Sequence, residues 1–255
     1  MTFSKLIKPT VLAAAVMSVF SVNAETIAIT NANVYTADEQ GIIENASVII
    51  EDGKIKAVNP ATVEADKVID AQGKILTPGF IGSMNQLGLV EVSAVSRSRD
   101  SSEKKADITF DASAAFNPRS TAIAYTRKGG ITSNVVVPRG GDDMFKGQAF
   151  VADLSGDFNS VFSTGNAVIV DLGAKSKGSR ATELTKLHNK LADAQKALDK
   201  KAEKKSDKDK KSDKEPKRSE KVINKLLSGE MPLIAYVDRA TDILALIKLK
   251  EKFGL

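Results

Sequence analysis

Five short apolar runs, separated by longer segments, follow the Pro78-Gly79 pair and restrict what this chain can fold into. Continuous apolar runs are typical of strands in a parallel sheet that is covered on both faces. The intervening segments include residues 184–198 and 243–253, where apolar residues recur at helical spacings of three and four. Strand and helix therefore alternate, which predicts an α/β architecture. The predicted strands are Phe80 to Leu89, Ile131 to Val137, Ala149 to Leu154, Ala167 to Leu172 and Leu233 to Val237.

A different pattern precedes this region. Between residues 25 and 77, short β-branched runs are broken by turns, and Asp52-Gly53 stands between two of the runs. This arrangement predicts a hairpin, because glycine accepts the positive φ that tight hairpin turns require. A second such unit turns at Gln72-Gly73. We therefore expect a small β-sandwich module at residues 25–77 and the α/β part at residues 78–255.

The first 24 residues have the pattern of a cleavable secretory signal. Two lysines precede an apolar run from Val11 to Val22, and small residues end the segment at Ala24. The run is much shorter than the roughly twenty residues that span a bilayer. We expect cleavage after Ala24, a periplasmic or secreted product, and no stable membrane anchor. A short buried N-terminal helix is the alternative interpretation.

The positive charge of the chain is concentrated in one segment. The formal net charge is +5, and the stretch from Lys196 to Lys221 holds 12 basic and seven acidic residues. Because this stretch accounts for the basicity, we expect no nucleic-acid partner. Residues 199–221 lack an apolar face and contain Pro216, which predicts a disordered lysine-rich insertion. An alternative role for this insertion is electrostatic association with an anionic envelope surface.

Histidine and cysteine are scarce, since the chain contains only His188 and no cysteine. Zinc sites in proteins draw most of their ligands from these two residue types. The chain therefore cannot by itself build a conventional histidine or cysteine metal site. His188 lies beside the apolar stripe of the helix predicted at residues 184–198, and we interpret it as a helix boundary residue. Gly140-Gly141 lacks the lysine and hydroxyl residue of a P-loop, and we interpret it as turn geometry.

One motif connects the two parts of the chain to a known family. The stretch from Thr30 to Leu89 contains TNANVYTADEQ and later ILTPGFIGSMNQLGL. It resembles the start of amidohydrolase-superfamily proteins of the imidazolonepropionase-like type, in which a small β-sandwich precedes a TIM barrel. In that family the first barrel strand ends in Pro-Gly-Phe/Leu-Ile-Asp-x-His-x-His. Here Gly82, Met84 and Gln86 stand in the positions of the aspartate and the two histidines.

Two later stretches resemble the same family in the same order. FNPRSTAIAYTRKGGITSNVVVPRGGDDMFKGQAFVADLSG begins at Phe116, and SGEMPLIAYVDRATDILALIKLKEKFGL begins at Ser228. By the family pattern, Tyr236 replaces a ligand histidine of the fifth barrel strand and Asp238 replaces a second histidine. The bridging lysine expected on the fourth strand is absent, although Asp171 places a carboxylate there.

The resemblance implies a class of enzymes that hydrolyse carbon-nitrogen bonds other than peptide bonds with a divalent metal such as zinc. Bound metal lowers the pKa of water and polarises the scissile carbonyl. The remaining ligands of that class, on barrel strands six and eight, would lie beyond residue 255. We therefore expect an incomplete TIM-like barrel from a truncated reading frame, with a missing C-terminal half-barrel or an oligomer as its partner.

With the ligand positions occupied by Met84, Gln86 and Tyr236, the residues present do not support a metal cofactor or metal-dependent catalysis, and no catalytic residue is assigned. The leading hypothesis is a degenerate scaffold that binds a small polar ligand or a partner half-barrel. One alternative is an enzyme that uses Asp171, Asp238 and Tyr236 in an unusual site. The residues expected around a ligand cleft are Arg119, Asp142, Gln148, Asp171, Asp238 and Arg239.

Overall fold

The computed structural model describes residues 25–173, 179–206 and 215–255. These described residues divide into two compact units, with the boundary between Pro78 and Gly79. The predicted signal segment and residues 207–214 of the lysine-rich insertion lie outside the described residues. Across the ranges just given, no helix combines the length and apolarity that crossing a membrane requires.

The first unit is built from one five-stranded sheet. Both predicted turns are present, and both residues of Asp52-Gly53 and of Gln72-Gly73 have positive φ. The sheet order is β3-β2-β1-β4, and β5 pairs with β1. The pairs β1–β2 and β2–β3 are antiparallel, whereas β4 and β5 run parallel to β1. The strands are β1 Thr26–Tyr35, β2 Ile42–Glu51, β3 Lys54–Val58, β4 Lys67–Asp70 and β5 Ile75–Leu76.

The second unit is an α/β half-barrel, as the sequence predicts. A curled sheet of five strands has the order β10-β9-β8-β7-β6. The strands are β6 Phe80–Asn85, β7 Ile131–Val136, β8 Phe145–Asp153, β9 Val161–Asp171 and β10 Leu233–Tyr236. The helices are α1 Thr121–Lys128, α2 Arg180–Ser206, α3 Arg218–Leu227 and α4 Ala240–Phe253, with short 3-10 turns at Ser96–Ser98 and Ser113–Ala115.

Strand β8 corrects the prediction of an entirely parallel sheet. The pairs β6–β7 and β9–β10 are parallel, but β8 runs antiparallel to both β7 and β9. A parallel crossover needs about a dozen residues or more. The connections at residues 137–144 and 154–160 are shorter than that, so the chain can only reverse direction there.

Strand β9 is buried on both faces, as expected for a covered sheet. Val168 and Val170 are fully buried on the face against which α2, α3 and α4 pack. Ile169 points to the other face, where it packs with Ala149 and Ala167. His188 of α2 lies against α4, with its ring 5.5 Å from that of Phe253 between ring centroids.

The lysine-rich region is more helical than predicted. Helix α2 continues to Ser206, and α3 begins at Arg218, so residues 199–206 and 218–221 correct the expectation of a disordered insertion at 199–221. Lysine, alanine and glutamate are strong helix formers, and their summed propensity extends α2 beyond its apolar stripe. At the start of α3, the Glu220 carboxylate accepts a hydrogen bond from the Lys217 backbone N–H at 3.2 Å.

Candidate ligand-binding cleft

A cleft of about 350 Å³ lies in the second unit. It is at the end of the sheet where β6, β7, β9 and β10 have their C-terminal residues. Because β8 is antiparallel, its first residues reach the same edge. Ligands of α/β sheets bind outside the carboxyl ends of the parallel strands. The lining residues are Gln86, Val137, Pro138, Arg139, Lys146, Asp171, Gly173, Tyr236, Val237 and Asp238.

Asp171 and Tyr236 are neighbours at the ends of β9 and β10. They are register partners in the parallel pair, so their side chains project on the same face. The Asp171 Oδ1 atom accepts a hydrogen bond from the Gly173 N–H at 3.0 Å. A Cβ placed on Gly173 would lie 3.4 Å from Asp171 Oδ1 and 3.8 Å from Asp238 Oδ2. The two carboxylates therefore converge on this glycine.

The phenol of Tyr236 is held in its protonated form. Partial burial raises the pKa of Tyr236 above the ordinary value of 10.0, and the negative charge of Asp171 raises it further. A protonated phenol is a hydrogen-bond donor and acceptor rather than an anionic metal ligand.

We expect the midpoint of Tyr236 ionisation to lie above the ordinary pKa of 10.0. Because the folded-state pKa is raised, the stability contributed by the protonated phenol is present below that pH and is lost as pH rises through the raised pKa. The ultraviolet difference between the native protein and Tyr236→Phe, followed against pH, isolates this transition. In Asp171→Asn it should move toward lower pH. A midpoint at or below the ordinary value would contradict the interpretation.

The carboxylate of Asp238 is engaged by an arginine from α2. The Arg180 Nη2 atom lies 2.9 Å from Asp238 Oδ1 and 3.2 Å from Oδ2. Arg180 Nε also lies 3.3 Å from Oδ2 of Asp242, a buried residue in the first turn of α4. This arginine therefore pairs with two carboxylates, one that follows β10 and one in the first turn of α4.

Of the two positions that replace the histidine pair, only Gln86 lines the cleft. Met84 has a φ of 58°, a left-handed conformation that is strained for this residue type. The pairing of β6 with β7 shifts register between Ser83 and Asn85, so Met84 sits in a bulge. The structure therefore separates Met84 from Gln86.

The space beside Gly82 is occupied by a buried amide. The Asn134 side chain, fully buried on β7, exchanges two hydrogen bonds with Asn85, at 2.9 and 2.8 Å. A Cβ on Gly82 would lie 2.5 Å from Asn134 Oδ1. The aspartate that the family carries at this position therefore does not fit without displacing Asn134.

We expect Gly82→Ala to lower the free energy of unfolding by about 1 kcal/mol, because the new methyl group forces the Asn134 amide out of its paired position. Urea unfolding measures the change. Gly173→Ala is the matched control, since its Cβ makes ordinary contacts and its expected effect is within about 0.5 kcal/mol. Equal stability of Gly82→Ala and the native protein would show that the Asn134 side chain can move aside at no cost in stability.

Four other residues predicted around the cleft lie outside its lining. Arg119 stacks over the Phe158 ring, with its guanidinium carbon 5.3 Å from the ring centroid. Gln148 donates from Nε2 to the Ile108 carbonyl oxygen at 3.2 Å, on the body of β8. Asp142 lies in the exposed turn before β8, and Arg239 is the exposed residue before α4.

The sequence analysis missed two cations that line the cleft, Arg139 and Lys146. Lys146 is half-buried, and its Nζ atom donates to the carbonyl oxygens of Gly141 at 3.0 Å and Asp143 at 2.7 Å. Arg139 is exposed and lies three residues after the end of β7. The sequence feature that could have identified them is the short connection between β7 and β8. A short connection places the end of β7 and the start of β8 at the same end of the sheet.

The residues of the cleft do not fit the divalent metal of the family pattern. Glutamine competes poorly with water for such ions, the Tyr236 phenol is protonated, and Asp238 is bound by Arg180. Within residues 25–173, 179–206 and 215–255, no group of three or more histidine, cysteine, aspartate or glutamate side chains is placed to hold a metal ion.

Comparison with known proteins identifies the fold. An amidohydrolase from Thermotoga maritima superposes with a TM-score of 0.75 at 24% identity, covering 90% of this chain and 62% of that one. A 5'-deoxyadenosine deaminase of Methanosarcina mazei is 46% identical over 59 residues, which are 22% of this chain and 14% of the relative. The corresponding enzyme of Methanosarcina acetivorans is 49% identical over 56 residues, 21% and 13% of the two chains. No protein-family model matches the chain.

Proposed function

Because the chain has the fold of the amidohydrolase superfamily, we propose that its half-barrel binds a small polar ligand without metal-dependent hydrolysis. The observation that carries the proposal is the cleft at the strand ends, the place where this type of barrel builds its sites. Its polar groups converge on one volume, as they do in small-molecule sites. The polar groups that supply its contacts include Gln86, Tyr236 and Asp171.

The expected absence of hydrolysis follows from the chemistry of these residues. Hydrolysis of a carbon-nitrogen bond at neutral pH needs an activated water and a polarised carbonyl, which the metal ions of active amidohydrolases provide. An amide, a protonated phenol and an arginine-bound carboxylate hold such an ion poorly. The same groups form directional hydrogen bonds, which suit them to binding.

Metal analysis of the purified protein, after dialysis against zinc and manganese, tests the proposal. We expect substoichiometric metal, and no release of ammonia from 5'-deoxyadenosine, the compound named for the archaeal relatives. Stoichiometric metal together with hydrolysis of any carbon-nitrogen bond would overturn the proposal. It would favour instead an unusual site formed by Asp171, Asp238 and Tyr236.

Binding is tested separately by a thermal-shift screen of small amides, carboxylates and amines. We expect several of them to raise the melting temperature of the native protein. Gln86→Ala and Asp171→Asn should each reduce that shift, whereas Lys54→Met, on β3 of the first unit, should not. Ligands that bind all three variants equally would place binding outside the cleft and contradict the proposal.

We also propose that the protein acts in the periplasm or outside the cell. The basic and apolar pattern of residues 1–24 supports this location. Amino-terminal sequencing of the exported protein should give Glu25 as the first residue. An uncut chain recovered from the cytoplasm would contradict the location.

A further inference from the structure

We infer that the ligand is dipolar, with an anionic group bound by Lys146 and Arg139 and an amino group bound by Asp171 and Tyr236. This inference rests on the proposed function, because it specifies what the same cleft binds. It follows from how charge is distributed along the edge of the sheet. The cations come from the end of β7 and the start of β8, and the acids come from the ends of β9 and β10.

Lys146 is positioned to bind an anion. Two of its three N–H groups donate to the Gly141 and Asp143 carbonyl oxygens, which fixes the ammonium in a half-buried position on the cleft wall. Its third N–H is used by no residue that the structure describes. Because a partly desolvated ammonium attracts an anion more strongly than one in bulk water, this group favours a carboxylate or a similar anion.

The loop that carries Arg139 and contacts Lys146 is tightly fixed. The backbone N–H groups of Arg139 and Gly140 both donate to the Ser101 carbonyl oxygen, at 2.7 and 3.2 Å. A Cβ on Gly140 would lie 2.5 Å from Lys146 Cα, so this close approach requires glycine. A fixed loop lowers the entropy cost of binding, since its backbone and the Lys146 ammonium are ordered before the ligand arrives.

The opposite side of the cleft carries negative charge and a phenol. Asp171 Oδ1 accepts only the Gly173 N–H among the described residues, so the carboxylate keeps capacity for further donors. No ion pair joins Asp171 to Lys146 or Arg139 in the described part of the chain, although β8 and β9 are adjacent. A ligand that lies between these groups would contact both charges.

The spacing of the strands sets the length of the ligand. Adjacent strands are about 5 Å apart, so the backbone of β8 lies roughly 5 Å from that of β9 and roughly 10 Å from that of β10. Two extended residues span about 7 Å. A dipeptide-sized zwitterion therefore matches the separation of the charges.

Four compounds of equal backbone test the inference by calorimetric titration of the native chain. Glycylglycine carries both charges, N-acetylglycylglycine only the carboxylate, glycylglycinamide only the ammonium, and N-acetylglycylglycinamide neither. We expect glycylglycine to bind at least tenfold more tightly than the other three. Lys146→Met should abolish the advantage given by the carboxylate, and Asp171→Asn the advantage given by the ammonium. The matched surface variants Lys54→Met and Asp193→Asn should leave both advantages unchanged.

The outcomes separate this inference from the proposed function. Equal affinity for all four compounds would overturn the dipolar ligand while leaving a ligand-binding cleft. Failure of all four to bind would also overturn it, and the wider thermal-shift screen then decides whether the cleft binds anything. A preference for one singly charged compound, lost in only one of the two cleft variants, would reduce the site to a simple anion or cation site.

Discussion

Replacing Gly141 by alanine is expected to lower the free energy of unfolding of the second unit by about 2 to 3 kcal/mol. A Cβ at this position would overlap the carbonyl oxygens of Glu103 and Lys104, which are backbone atoms and cannot rotate away. The loop must therefore shift, and with it the carbonyl oxygen that fixes the Lys146 ammonium. Urea unfolding measures the loss of stability, and glycylglycine titration measures the effect on the cleft.

Gly129→Ala is the matched control for this prediction. Gly129 ends α1 with a φ of −83°, and an added Cβ would have as its close contact only the Thr126 carbonyl oxygen, at 3.3 Å. Its expected effect is within about 0.5 kcal/mol. Similar losses in the two variants would mean that Gly141 is not constrained by residues 103–104.

Arg180→Met is expected to lower the free energy of unfolding by about 2 kcal/mol. Removing one partner of a fully buried ion pair costs about 3 to 5 kcal/mol, because the other charge stays buried and unpaired. Arg180 keeps 24% of its side chain exposed, so solvent screens part of that cost. The residual penalty falls on Asp242, whose side chain is only 8% exposed. Urea unfolding again measures it.

The double variant Arg180→Met with Asp242→Asn separates charge from packing. If the penalty comes from the uncompensated Asp242 carboxylate, the neutral amide should restore at least half of the lost stability. A double variant as unstable as the single one would assign the loss to the packing of the arginine side chain instead.

Strand positions in the second unit could be predicted from the sequence, but strand direction could not. The run from Ala167 to Val170 is apolar and mostly β-branched, which predicts a strand. The apolar pattern of a strand is the same in either direction, so the sequence pattern predicts β8 as parallel, like its neighbours. The direction of β8 follows instead from its two connections, residues 137–144 and 154–160, which are too short for a parallel crossover.

The cleft residues on parallel strands could also be predicted from the sequence, but those on β8 could not. Gln86, Asp171, Tyr236 and Asp238 follow or end parallel strands, and the family resemblance indicated three of these strand ends in order. Lys146 could not be found in this way. It reaches the cleft because β8 is antiparallel, since a parallel β8 would carry its first residues to the opposite edge. Likewise, nothing in the residue type of Met84 predicts a bulge.

From the reversed strand we also expect a particular order of assembly for this unit. Strands β7, β8 and β9 form a meander between residues 131 and 171, and its contacts are close in sequence. Pairing of β6 with β7, and of β9 with β10, must instead close the long segments 86–130 and 172–232. Short loops close at a lower entropic cost and faster. Pulsed hydrogen exchange during refolding should therefore find the amides of the meander protected first, before the two outer strands join and form the cleft.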